Sequence, residues 1–163
     1  MLTHFDTSGN AVIVDITDKP QNLRMATAVG AINMSQAAYE ACDTGTSKKG
    51  DVLNIARIAG IMATKQTSSL IPLCHSIPIE KVTISFEMRN TANEICVACT
   101  VQTTGKTGVE MEALCGVTTT LLTIYDMLKA IDKSMTIQNI FLEEKHGGKS
   151  GVYKREPQSD TEV

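Results

Sequence analysis

At 163 residues with 42% apolar side chains, the chain has the length of one domain and enough material for a sizeable core. A net charge of −3 and only 4% aromatic residues exclude a broad basic footprint for nucleic acid or membrane surfaces, so any anionic ligand must meet a local cationic cluster. No apolar run approaches the ~18 residues of a membrane span, and MLTHFDTSGN has neither the basic start nor the apolar core of a signal peptide, which predicts a cytoplasmic protein.

Taken in order, residues 1–10 are polar with a Ser8-Gly9-Asn10 turn, and Ala11 to Ile16 alternates as a short strand before the Asp18-Lys19-Pro20 break. Arg24 to Met34 reads as a second strand. Ser35 is an N-cap for a short helix through about Cys42, ended by the turn-rich segment 43–47. Asp51 to about Ser68 is the next helix. Val52, Ile55, Ala56, Ala59, Met62 and Ala63 form its apolar side; Asp51, Asn54, Arg57, Thr64, Lys65 and Ser68 form its polar one. Its small residues suit close packing on a sheet or a second subunit. Prolines at 72 and 78 make the intervening segment a stiff loop. Strands at about Lys81 to Met88 and Glu94 to Thr103 follow, joined by a turn at 89–93.

The longest periodic stretch is Thr103 to Lys133. It opens with a glycine-bracketed Lys106-Thr107 loop. A helix follows, in which Met111, Leu114, Cys115, Thr118, Leu121, Leu122, Tyr125 and Leu128 recur at the spacing of one buried face. Glu110, Glu112, Asp126 and Lys129 occupy its other faces. Thr136 to Leu142 is a final strand, and the polar tail 154–163 reads as disordered. Leaving out the N-terminal strand, the order is the βαββαβ plan of a ferredoxin-like sandwich. The predicted class is therefore α+β, ferredoxin-like, with an extra helix and an N-terminal strand. Residues 1–153 form one domain whose N-terminal segment is mobile. A sheet covered on one face only would bury the other by association.

The chemistry-bearing candidates each have a structural counterpart. Gly105-Lys106-Thr107 and Gly148-Lys149-Ser150 resemble the end of a P-loop, but Thr100 and Glu143 stand where its first glycine is needed. The first still precedes a helix whose free N–H groups favour an anion. Thr107 and Glu110 equally fit a capping box, leaving Glu110 as either cap or ligand. His75 is held between prolines, as a site residue or as a loop hydrogen-bonder. Asp126 and Lys129 have the spacing of a surface ion pair. Arg24, Lys49, Lys65, Lys106, Lys145 and Lys149 accompany Lys129 in loops or near element ends, and if they converged they would suit a triphosphate. Crowded ammonium groups would lower a lysine pKa, whereas Asp126 would raise that of Lys129. The five cysteines read as reduced thiols. Cys96 and Cys99 look like half a metal site, but three residues apart on a strand they point to opposite faces, so no metal site is predicted.

Lys49-Gly50-Asp51-Val52, Ala56-Arg57-Ile58-Ala59-Gly60-Ile61, Leu70-Ile71-Pro72-Leu73-Cys74-His75, the run from Thr104 to Leu114, Leu122-Thr123-Ile124-Tyr125-Asp126-Met127 and Gly147-Gly148-Lys149-Ser150-Gly151 closely resemble the cyclic pyranopterin monophosphate synthases, the molybdenum cofactor biosynthesis protein C family. The likeness runs in order from about Leu2 to Val152; Ser76 departs from it, standing where many relatives have proline. It implies a lyase-type, pyrophosphate-releasing enzyme acting on a 3′,8-cyclised dihydroguanosine triphosphate. It also implies a functional link to the radical GTP cyclase that makes that substrate, and a hexamer of three dimers with pockets at subunit interfaces. Lys49, Asp126 and Lys129 match the family's catalytic positions. Leu73, Cys74 and His75 match one substrate-binding segment and Met111 with Glu112 another, with Arg24, Lys65, Lys106, Lys145 and Lys149 as further candidates. Mg2+ could accompany the triphosphate without a dedicated protein site. Glu112 and Asp126, fourteen residues apart, are separated by about 21 Å on a continuous helix, so either the extended triphosphate spans the distance or the two ends come from different subunits, and the second fits the interface pockets that the resemblance implies.

Overall fold

The computed structural model describes residues 4–44, 50–148 and 151–156. Lys49 and Lys149, both singled out above, lie outside them. Strand β1 (Asn22–Asn33) leads to helices α1 (Gln36–Asp43), α2 (Val52–Lys65) and α3 (Thr67–Leu70). The hairpin of β2 (Lys81–Arg89) and β3 (Glu94–Gly105) follows, then α4 (Glu110–Leu128), β4 (Thr136–His146) and β5 (Tyr153–Lys154). The sheet order is β2-β3-β1-β4-β5, every neighbouring pair antiparallel. The first four strands reproduce the predicted ferredoxin-like arrangement.

Local chemistry sets most of these boundaries. Ser35 caps α1 by accepting from the Ala38 N–H, and Asp51 caps α2 by accepting from Asn54. The β2–β3 connection tightens into a 3-10 turn, closed by Asn93 in the left-handed conformation that asparagine tolerates. Helix α4 lies across β1, β3 and β4 and packs on its side against α2. Small residues make that close approach possible. Ala26 and Ala28 are fully buried beneath α4. A Cβ on Gly30 would come within 2.7 Å of Leu121, and one on Gly60 within 3.0 Å of the Gly116 carbonyl.

Four expectations are corrected. Residues 11–16 are not a strand of the sheet; that segment makes one isolated bridge, Phe5 with Ala11. Its alternation survives as the half-buried side chains of Val12, Val14 and Ile16. Helix α2 ends at Lys65, and its polar-side Thr64 is buried while Ile55 and Met62 are exposed. The buried face of α4 is Glu112, Ala113, Gly116, Val117, Thr120, Leu121, Ile124, Met127 and Leu128. Met111 and Leu122, expected on it, are 37% and 54% exposed. Leu121 and Leu128 are buried as expected, and the helix's two packing partners also enclose the small Ala113, Gly116 and Thr120. Finally, the chain past Tyr153 is not structureless at its start. Lys154 pairs with Glu144, and Arg155 bonds the Glu143 carbonyl and covers the Phe141 ring.

Candidate functional site

The start of α4, the end of β3 and the two ends of the β1–β4 pair meet at one corner of the sheet. Arg24, only 8% exposed, turns its guanidinium toward this corner. It donates from Nε to the Gly105 carbonyl at 3.2 Å and from Nη2 to the Lys106 carbonyl at 3.4 Å. Gly147 and Gly148 pass over it with φ of +92° and +84°, a conformation that favours glycine. A Cβ on Gly148 would run into the Arg24 guanidinium. Lys145 Nζ reaches Glu110 Oε1 at 3.1 Å, and Lys106 Nζ donates to the Thr17 carbonyl at 2.6 Å. Together with Lys19, these side chains line a cavity of about 370 Å³.

The capping box predicted for α4 is absent. Val109, fully buried, occupies the N-cap position and no side chain caps the helix. Glu110 instead folds over Gly108, where a Cβ would collide with its carboxylate, and pairs with Lys145 across the cavity. Glu110 is therefore not a cap. The first-turn N–H groups of α4 face a corner containing four cationic side chains, Lys19, Arg24, Lys106 and Lys145. Such a helix start favours an anion. Lys19 escaped the sequence reading because it sits in a turn; its place three residues before the start of β1 was the only signal.

A second cavity, of about 230 Å³, adjoins the first at Lys106 and Thr107 and is lined also by Ile16, Gln21, His75 and Pro78. The ring of His75 is fixed by a 2.8 Å hydrogen bond between Nε2 and the Val14 carbonyl. Behind it, Leu73 and Cys74 are half-buried. Burial, then the charges of Glu112 and Cys115, hold the Cys74 thiol above its usual range. Glu112 is 4% exposed. Burial, reinforced by the charge of Glu110, pushes its carboxyl upward. Of the two predicted substrate-binding segments, 73–75 and 111–112, His75 lines the second cavity, and Glu112 acts on Cys74 through its charge. Lys65, the last residue of α2, is exposed and lines neither cavity.

Asp126 and Lys129 stand apart, at the other end of α4. Their 2.6 Å ion pair is half-exposed on both sides. Hydrogen bonding and attraction from Asp126 hold the Lys129 ammonium above its ordinary range. Of the two opposing influences expected on this lysine, the carboxylate prevails within the chain. Cys96 and Cys99 point to opposite faces of β3, Cys99 buried at α4 and Cys96 bonded to Glu94 on the open face. That open face carries a larger cavity of about 440 Å³ among Val29, Glu87, Arg89, Cys96 and Phe141. It contains none of the predicted site residues, and chemistry favours the cationic corner over size.

Fold and site define a ferredoxin-like α+β protein with a cationic cavity at the start of its long helix. The MoaC family model matches residues 13–148, and the chain belongs to that family. It is 55% identical over 153 residues to the cyclic pyranopterin monophosphate synthase of Clostridium botulinum (strain Alaska E43 / Type E3), covering 94% of this chain and 96% of that one. It is 54% identical to the enzyme of that name from Limosilactobacillus fermentum, covering 94% and 92%. With the one from Clostridium perfringens it shares 51%, covering 93% and 96%. No helix among the described residues is long and apolar enough to cross a membrane.

Proposed function

We propose that this protein is a cyclic pyranopterin monophosphate synthase. It takes (8S)-3′,8-cyclo-7,8-dihydroguanosine 5′-triphosphate, the product of a radical GTP cyclase, to cyclic pyranopterin monophosphate and pyrophosphate in molybdenum cofactor biosynthesis, in the cytoplasm. The observation that carries this reading is the 370 Å³ cavity that gathers Lys19, Arg24, Lys106 and Lys145 in a chain of net charge −3. The relatives' names supply the reaction.

The triphosphate belongs in that corner. Arg24, a permanent and rigid cation, and the ammonium groups of Lys106 and Lys145 neutralise the pyrophosphate as it leaves, when a sugar hydroxyl attacks the α-phosphorus. The heterocycle lies toward His75, Cys74 and Glu112, with Met111 beside it. Rebuilding the purine-derived ring moves several protons. Lys129, kept protonated by Asp126, serves as proton donor, Asp126 as its acceptor and orienter, and Lys49 as the second catalytic ammonium. Lys65, Lys149 and Glu110 are peripheral contributors.

Lys129 and the cationic corner are at opposite ends of α4, so the catalytic pair acts on substrate held mainly by another subunit. The exposed Ile55, Ile58 and Met62 on α2 and Leu122 on α4 support self-association, as a hexamer of three dimers. Pyrophosphate release from the cyclised substrate tests the function. Release by the parent protein, with GTP not turned over and Lys129→Ala slowed at least ~100-fold, is the expected result. No release, or equal turnover of GTP, would overturn it.

A further inference from the structure

Asp132 is 8% exposed and lies in the turn that follows α4. Three donors converge on its carboxylate: the Ser35 N–H on Oδ2 at 2.7 Å, and the Ser134 N–H and Oγ–H on Oδ1 at 2.8 and 2.6 Å. Ser35 is the N-cap of α1, two residues beyond the end of β1. That junction is itself bound to the β2–β3 turn through the Met34 N–H and the Asn93 carbonyl. One carboxylate therefore fastens the end of α4 to the opposite corner of the sheet.

The same turn carries Lys129. Its backbone N–H closes the last α-helical bond, to the Tyr125 carbonyl at 2.8 Å, and Asp132 N–H returns to the Leu128 carbonyl at 3.1 Å. Tyr125 ties the far side of the turn by donating its hydroxyl to the Lys133 carbonyl at 3.1 Å. Above this framework the Lys129–Asp126 pair is half in solvent. The backbone beneath it is held within the turn by these bonds, and Asp132 alone among them ties it to the start of α1 through Ser35.

We infer that Asp132 is a positioning residue for Lys129 and Asp126, holding the α4 terminus at the height and angle from which that pair reaches the substrate. The inference rests on the catalytic reading of the pair given above. A displacement of about 1 Å at a reacting group can cost on the order of 100-fold in rate. In Asp132→Asn, an amide cannot accept from Ser35 and Ser134 together, because its nitrogen faces one of the donors. The turn is released without removing Lys129.

The test is steady-state pyrophosphate release at a temperature well below unfolding, expressed per folded subunit. Asp132→Asn is expected to lower kcat by at least ~10-fold while KM stays within about twofold, since the groups that bind the triphosphate are on other elements. In a Lys129→Ala background the same change is expected to lower the residual rate by a much smaller factor, because only Asp126 is left to be displaced. Ser134→Ala, which removes a single donor, gives a smaller kcat loss and serves if Asp132→Asn does not fold. If kcat per folded subunit is unchanged in the variant that folds, or if the loss is equal in both backgrounds, the positioning role is wrong even where Lys129→Ala is inactive. If Lys129→Ala itself retains full turnover, the catalytic reading falls and takes this inference with it.

Discussion

The two buried carboxylates on and after α4 respond to pH in opposite senses. Hydrogen bonds from Ser134 and Ser35 hold Asp132 at about 2, so its contribution to stability is present above the ordinary value of 3.8 and is lost as pH falls toward 2. Glu112 is pushed upward by burial. The native state then holds its proton more tightly than the unfolded chain, a gain that is complete below the ordinary 4.5 and disappears as pH rises through the folded value. At neutral pH Glu112 therefore burdens the empty protein, which is tolerable where a carboxylate serves ligand binding. Thermal unfolding of Glu112→Gln is expected ~2–4 °C above the parent at pH 7, the difference closing near pH 4. A variant no more stable at pH 7 would count against this account.

At the scale of elements, α4 is governed by packing more than by propensity. A Cβ on Gly116 would approach Cys99 Sγ to 2.5 Å and Thr64 Cγ2 to 2.9 Å. Helix propensity alone would make Gly116→Ala stabilising by ~1 kcal/mol, whereas overpacking costs about 1–3 kcal/mol. A lower urea midpoint with unchanged slope is the expected outcome, and a higher midpoint would show that the α2–α4 contact is loose. The same feature explains what sequence reading could see. Ser35 as a cap, the β2–β3 hairpin and the strand order were legible because local signals set them. The buried face of α4 was legible only in part: Leu121 and Leu128 are buried as expected, but Met111 and Leu122 are exposed and the small Ala113, Gly116 and Thr120 share the contact. The Glu110 cap failed for a related reason: its competitor, Lys145, is far away in sequence. For Asp132 the sequence offers only the local turn with Ser134, two residues on, because its other partner, Ser35, lies 97 residues away. The cationic corner was legible as a set of residue types, but only the fold separates Arg24, Lys106 and Lys145 from the exposed Lys65.

On the scale of the whole molecule, α4 is continuous from Glu110 to Leu128, so Glu112 and Asp126 are held ~21 Å apart along its axis. Glu112 is buried and Asp126 stands exposed. A compact substrate meets both only if two chains contribute. Subunits of Glu112→Ala and Lys129→Ala, provided each alone has lost nearly all turnover, are expected to recover up to about a quarter of parental activity after exchange in a dimeric site, by random assortment of intact sites. Pyrophosphate release from the mixture measures this, and absence of recovery despite exchange confirmed by mass would exclude a shared site.

Because Gly116 meets Cys99, Thr120 faces Gly60 and Leu128 is sealed in the core, α4 behaves as a keyed shaft. One inserted residue would turn everything downstream by ~100° and advance it ~1.5 Å, withdrawing every key from its slot at once. Length variation within such a chain is expected to collect at the turn around residues 90–93 and past Glu156, while the count of residues between Glu112 and Lys129 stays an invariant whole number.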